Sequence, residues 1–344
     1  MTPCVAGRAI GGFLPLEAER VSGYGGVLTL WGVMDNNSWA FVNARSALAH
    51  LLRSAGSKRL FLPAFICPEI AQAAADDVPV AFYPLTAALS PDIDALSAEL
   101  RTGDCVVAVD YFGRPPNAGF CALVAERPDI LWVEDRAQAL FPAKTPWADW
   151  VLYSPRKLLG VPDGGLLVHM SGCIEPASHS KGSDERRTCP RVMRRDDIEE
   201  RDNARWFAAY QKVEAQMTVS REPMSALARK LLGCVDPQAI IRRRKENFDV
   251  LATLLHDVAL IEGAATSFAP FGFPVRVPGR DVIWRALVER RIFAARNWPL
   301  LPSDPARFPA EHALSHEILL LPCDQRYDAD DMRTVADAFR GVRA

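Results

Sequence analysis

The chain has 344 residues, 49% of them hydrophobic and 24% charged, with a formal net charge of -2. That is a globular composition with enough apolar residues for a sizeable core, and its near-neutral charge does not support a nucleic-acid footprint. No apolar run reaches the roughly 20 residues that span a bilayer, and the opening "MTPCVAGRAIGGFLPLEAER" lacks the basic start and long apolar stretch of a secretory signal, so a cytoplasmic protein is expected.

The opening apolar stretch "AIGGFLPLE" is expected to reach a neighbouring subunit. From Ala44 onward, apolar runs alternate with amphipathic ones. "ARSALAHLLRSAG" reads as a helix, with Ala47, Leu48, Leu51 and Leu52 on one face, Asn43 as its cap and Gly56 as its stop. "RLFLPAF" then reads as a strand, "PEIAQAAAD" as a short helix, "VPVAFYPL" as a strand and "DIDALSAEL" as a helix. "DCVVAVDYFG", "DILWVED", "DWVLYS" and "GGLLVHM" read as buried strands, with "AGFCALVAER" a helix after the first of them. This alternation predicts an α/β fold: a mostly parallel central sheet flanked by helices. Residues 171–197 are polar, rich in Ser and Arg and aperiodic, and are expected to form a long mobile loop. Long helices are expected over 198–217 and 236–257. The tail reads as strand ("SFAPFGFPVRV"), helix ("DVIWRALVERR"), strand ("EILLLP") and helix ("ADDMRTVADAF"). The predicted division is a large α/β domain over 1–239, with an N-terminal arm, and a smaller α+β domain over 240–344. The eight cysteines stand singly, with neither C-x-x-C nor zinc-finger spacing, so reduced thiols and no metal site are expected.

In open parallel sheets, ligands bind at the carboxyl ends of the strands. There the chain places the helix start "NARSAL", whose free N–H groups can hold a phosphate, the acidic pair Glu134-Asp135 and then Ser154 and Lys157. A lysine, an aspartate and a phosphate cradle are what pyridoxal 5'-phosphate requires. Neither a dinucleotide G-x-G-x-x-G nor a Walker A motif is present. Alone, each element has an ordinary reading: a solvated lysine, a helix-capping aspartate, a common helix start.

The motifs "NARSAL", "LPAFICPE", "VEDRAQAL" and "SPRKLLGVPDGG", in that order, resemble the DegT/DnrJ/EryC1/StrS family of pyridoxal-phosphate-dependent sugar aminotransferases, which has the type I aminotransferase fold. The resemblance covers about residue 40 to the end, where "LSHEILLLPCDQRYDADDM" is similar to the family's last strand and helix. It implies that Lys157 is the Schiff-base lysine and Asp135 the partner of the pyridinium nitrogen. It further implies that Gln138 meets the phenolic oxygen, and that Ser154 and the backbone of Arg45 and Ser46 bind phosphate. Cys67 falls where the family often stacks an aromatic ring on the cofactor, and Phe65 is expected to point the other way. Arg136 replaces a small residue, and "SREPMSAL" lacks an Asn that the family supplies from the partner subunit, with Arg221 a replacement cation. Trp298 and Arg296 are candidates for the substrate border, Trp298 equally for the core. The implied function is amino transfer from glutamate to a nucleotide-linked keto-sugar, in polysaccharide or secondary-metabolite biosynthesis, by a homodimer with no nucleic-acid or membrane partner. Two alternatives stand beside it. One is another reaction on the same cofactor, such as sugar dehydration, which Lys157 disfavours because that subgroup tends to carry His. The other is a non-catalytic regulatory or scaffold relative.

Overall fold

The computed structural model describes residues 8–17, 26–34, 36–74, 78–139, 146–178, 185–198, 202–261 and 269–343. Outside the described residues lie Cys4 and most of the opening segment, Leu140 of "VEDRAQAL", residues 179–184 of the expected loop, residues 199–201 of the expected helix over 198–217 and the first two residues of "SFAPFGFPVRV".

In chain order the elements are β1 (Ile10–Gly11), α1 (Gly26–Leu30), β2 (Ser38–Phe41), α2 (Ala44–Ala55), β3 (Arg59–Pro63), α3 (Pro68–Ala71), β4 (Val80–Tyr83) and α4 (Ile93–Glu99). Next come β5 (Asp104–Val109), α5 (Ala118–Glu126), β6 (Leu131–Asp135), β7 (Trp150–Tyr153), β8 (Gly165–His169), α6 (Glu185–Asp196), α7 (Asn203–Gln216) and α8 (Ala226–Cys234). The chain closes with α9 (Pro237–Leu254), β9 (Phe273–Arg276), α10 (Arg280–Glu289), β10 (Ile292–Phe293), α11 (Pro309–Glu317), β11 (Ile318–Leu321) and α12 (Ala329–Arg343).

Seven strands form one sheet in the order β2-β8-β7-β6-β5-β3-β4. From β7 to β4 neighbours are parallel, and β8 is antiparallel to both β7 and β2. All six residues of β5 are buried, as a strand covered by helices on both faces requires. The α/β architecture with a mostly parallel sheet is therefore as expected. Helix α2 forms where its local signals put it: the Asn43 side chain accepts the Ser46 N–H, and Gly56 ends the helix at φ 61°. The expected domain boundary lies just inside α9, and one apolar core runs across it, joining Leu48, Val107 and Val133 to Phe248, Leu287 and Leu319.

Two segments depart from the sequence reading. Residues 171–197 are not one long loop, because α6 occupies Glu185–Asp196. Its anchor is arginine rather than aliphatic surface, which is why hydrophobic periodicity gives no signal there. Arg191 is buried and donates to the Leu14 carbonyl at 2.6 Å, while Arg194 lies over the rings of Phe13 and Trp206. Second, residues 9–17 lie along their own chain. β1 pairs in parallel with β10, the Gly11 N–H donates to Tyr327 Oη at 2.7 Å, and the Glu17 N–H donates to the Gly160 carbonyl at 2.9 Å. A Cβ at Gly160 would lie 1.8 Å from the Pro15 carbonyl oxygen, so this approach requires glycine.

Candidate active site

The carboxyl ends of β6 and β7 and the first turn of α2 surround a cavity of about 540 Å³. Six of the seven expected site residues line it: Arg45, Cys67, Asp135, Gln138, Ser154 and Lys157. Asp135 ends β6 in register with Val109 and Leu152, which holds its backbone rigidly in the sheet. Its side chain is buried, and one oxygen accepts the Ala137 N–H at 2.7 Å. Burial pushes the Asp135 carboxyl above the ordinary carboxylate range, opposed by the positive charge of Lys157. Lys157 ends a short 3-10 turn, Pro155–Lys157, directly after β7, and its side chain is exposed. Gln138 is buried and its Oε1 accepts the Phe112 N–H at 2.9 Å. That bond orients the amide and leaves its NH₂ as the donating end.

The cavity also meets the N-terminus of α2. Asn43, Ala44 and Arg45 line it, whereas Ser46 does not. The Ser46 N–H donates to Asn43 Oδ1 at 2.9 Å, and its hydroxyl contacts the same oxygen and accepts the Ser220 N–H at 3.0 Å. The Ser46 N–H, expected to meet a phosphate, is engaged in the helix cap, and Ala44 and Arg45 are the first-turn residues on the wall. The turn after Lys157 brings β8 close to the start of α2. Gly164 adopts φ +132°, and a Cβ at Gly165 would lie 2.0 Å from the Asn43 carbonyl carbon. The two glycines therefore let β8 start directly against the helix terminus. Asp163 before them is buried, bound to Arg187 at 3.1 Å and to the Ser225 N–H at 2.9 Å.

Several lining residues were not assigned from sequence. Arg156 pairs with Glu214 of α7, so a residue distant in sequence completes the wall. Burial, then the charge of Arg156, holds the Arg45 guanidinium below its ordinary range. Thr218 also lines the cavity, and its carbonyl accepts the Asn43 side-chain amide at 3.0 Å. No local pattern marks these residues; only the packing of α7 against the sheet end reveals them. Trp298 does line the cavity, and its ring packs on Phe65 at 5.2 Å. Phe65 is fully buried and off the wall; it lies in the bend after β3 rather than in the strand, so packing and not strand alternation turns it inward. Cys67 donates to Glu69 Oε2 at 3.0 Å, and burial pushes its thiol up to about 11, so it faces the cavity as a neutral thiol. Arg296 lies over the Trp284 ring and beside Asp281, and Arg221 is exposed and outside the cavity lining.

Arg136 is accommodated behind the site. Its Nε donates to Glu134 Oε1 at 2.6 Å and lies 3.7 Å from Asp110 Oδ2. Strand alternation sends Glu134 and Asp135 to opposite faces, so this buried ion cluster sits away from the cavity. Burial and the neighbouring Glu134 push the Asp110 carboxyl upward. Among the described residues no cluster has metal-ligand composition, and no helix is long and apolar enough to cross a membrane.

The sequence matches no family model and no curated protein. Solved structures do resemble it. The aminotransferase TlmJ from Streptoalloteichus hindustanus aligns over 96% of this chain and 92% of its own at 18% identity, with a TM-score of 0.67. A DegT DnrJ EryC1 StrS aminotransferase from Brucella abortus aligns over 92% of this chain and 87% of its own at 17% identity and a TM-score of 0.63. DesI, crystallised in the presence of its TDP-sugar product, aligns over 92% of this chain and 84% of its own at 19% identity and a TM-score of 0.63. The chain has the fold of these aminotransferases.

Proposed function

We propose that the chain is a pyridoxal-5'-phosphate-dependent aminotransferase that moves an amino group from glutamate to a nucleotide-linked keto-sugar. The observation that carries the reading is the meeting of Asp135 and Lys157 in one cavity that also holds a helix N-terminus. The donor set fits the cofactor: a buried carboxylate lacking a full-strength cation, an amide NH₂, a serine hydroxyl, first-turn residues and a lysine. When bound, the cofactor supplies an electron sink for the substrate carbon. Asp135 holds the ring nitrogen protonated, and Gln138 donates to the phenolic oxygen. Ala44, Arg45 and Ser154 hold the phosphate at the positive end of α2. Cys67 and Trp298 border the ring. Lys157 Nζ would hold the cofactor in place and is the group that would move the proton at the substrate carbon.

The likeness to DesI supports a nucleotide-sugar acceptor. A cytoplasmic homodimer, a role in polysaccharide or secondary-metabolite biosynthesis and a division into domains at 239/240 complete the reading. The test is direct. Purified protein should carry the visible absorbance of lysine-bound cofactor, and borohydride should fix that cofactor to the peptide containing Lys157. Lys157→Ala should abolish both the band and turnover. A screen of keto-sugar nucleotides with labelled glutamate then identifies the acceptor. Wild-type protein that fixes cofactor at another lysine, or at none, would overturn the assignment.

A further inference from the structure

The turn after β5 touches both residues proposed to hold the cofactor ring. It runs from Asp110 to Gly113 and is buried throughout. Phe112 stands at its centre with φ 54° and ψ 24°. That is left-handed backbone, which is costly for a bulky side chain and persists only where the surroundings fix it. Here they fix it from several sides. The Phe112 side chain is fully buried, and Gly113 follows at φ 95°. The Asp110 N–H donates to the Asp135 carbonyl at 3.0 Å, continuing the pairing of β5 with β6. Trp147 Nε1 donates to Asp110 Oδ1 at 3.5 Å behind the sheet, beside Arg136. The Tyr111 hydroxyl donates to the Phe65 carbonyl, in the bend that leads to Cys67.

What the turn presents to Gln138 is one backbone donor. The Phe112 N–H donates to Gln138 Oε1 at 2.9 Å, and the next N–H, of Gly113, donates to the Asp110 carbonyl at 3.1 Å. The φ torsion at Phe112 sets the angle between these two peptide planes. A residue that refuses left-handed backbone must break one of the two bonds. The first decides which end of the Gln138 amide meets the cavity. An amide has an oxygen and a nitrogen of nearly equal shape, and its last torsion is soft and roughly two-fold. Turned by half a rotation, Gln138 would set NH₂ against the Phe112 N–H, donor against donor, and offer the cavity an acceptor.

We infer that Phe112 is a positioning residue: its left-handed turn aims one N–H at Gln138 and so fixes the amide with its NH₂ toward the cofactor's phenolic oxygen. The inference rests on the aminotransferase reading above for what Gln138 meets.

Leucine and isoleucine separate the backbone from the ring. They are isomers, so placing either at Phe112 removes the same volume. Leucine enters left-handed backbone, as Leu89 does at φ 59°, whereas branching at Cβ makes isoleucine resist it. Full-length protein freed of cofactor is titrated with pyridoxal 5'-phosphate and followed by the visible band. Phe112→Ile should bind roughly 10- to 150-fold more weakly than Phe112→Leu, the range for one hydrogen bond to a charged group. In a Gln138→Ala background the two should bind alike, because no amide remains to be oriented. A general loosening of the fold would persist in that background, so the comparison separates positioning from packing. Gly113→Ala strains the same turn and leaves the Phe112 ring in place. It should weaken cofactor binding in the same Gln138-dependent way, and serves if Phe112→Ile does not fold. Equal binding by Phe112→Leu and Phe112→Ile, or a difference that survives Gln138→Ala, overturns the inference alone. Wild type that takes no cofactor at Lys157 removes the aminotransferase reading, and this inference with it.

Discussion

Gly165→Ala tests the phosphate cradle through its closest backbone approach. A Cβ at this position would lie 2.0 Å from the Asn43 carbonyl carbon, 2.1 Å from the Ala44 nitrogen and 2.3 Å from the Asn43 oxygen. Carbon atoms in contact rest about 3.5 Å apart, so β8 and the start of α2 must part by about 1.5 Å. The obstructing atoms are backbone, and no side chain can swing aside. Overpacking of this kind costs about 1–3 kcal/mol. It also moves the residues proposed to hold the phosphate, and a misplacement of about 1 Å can lower turnover about 100-fold. Gly233→Ala in α8 is the matched control. No atom lies within 4 Å of its Cβ, and replacing a helical glycine should stabilise by up to about 1 kcal/mol. Thermal melting with and without pyridoxal phosphate reads both effects. Gly165→Ala should melt lower and lose the rise on adding cofactor, whereas Gly233→Ala should melt at or above wild type. Wild-type melting and an undiminished cofactor shift in Gly165→Ala would refute the cradle.

Three other outcomes are expected. Asp135→Asn keeps the side-chain shape but loses a charge-assisted contact of about 1.5–3 kcal/mol, so turnover should fall roughly 10- to 150-fold, measured at saturating cofactor. The same substitution should raise the melting temperature of cofactor-free protein at neutral pH. The raised Asp135 pKa means that the folded state binds a proton more tightly than the unfolded chain, so wild type loses stability as pH rises above the ordinary carboxyl value of about 3.9. At Asp324, burial acts to raise the pKa, but the charge and hydrogen bonds of Arg326 outweigh it and hold the carboxyl below its ordinary range. That pair therefore stabilises the fold above the ordinary carboxyl pKa and is lost as pH falls through the folded value. Arg326→Met should flatten this acid-side loss in a pH series of melting temperatures; an unchanged slope would count against the pair.

The sequence was most informative where physical signals are local. Asn43 and Gly56 bound α2 because capping is decided within a few residues. Asp135 and Lys157 were placed at strand ends because a continuous apolar run marks a buried strand, and ligands gather where such strands end. The Asp163-Gly164-Gly165 turn was legible as a reversal, but only the folded backbone shows that Gly165 touches the start of α2. Ser46 belonged to the right helix start, yet its N–H was already committed to Asn43, a matter of side-chain geometry. Helix α6 was invisible to periodicity because its buried contacts are arginines on carbonyls and rings. The pairing of Arg156 with Glu214 and the place of Trp298 depend on residues far apart in the chain. Hydrophobic period and turn chemistry act over a few residues and can be read from order alone. Which distant side chains share a cavity is decided by packing, after the sheet has brought their elements together.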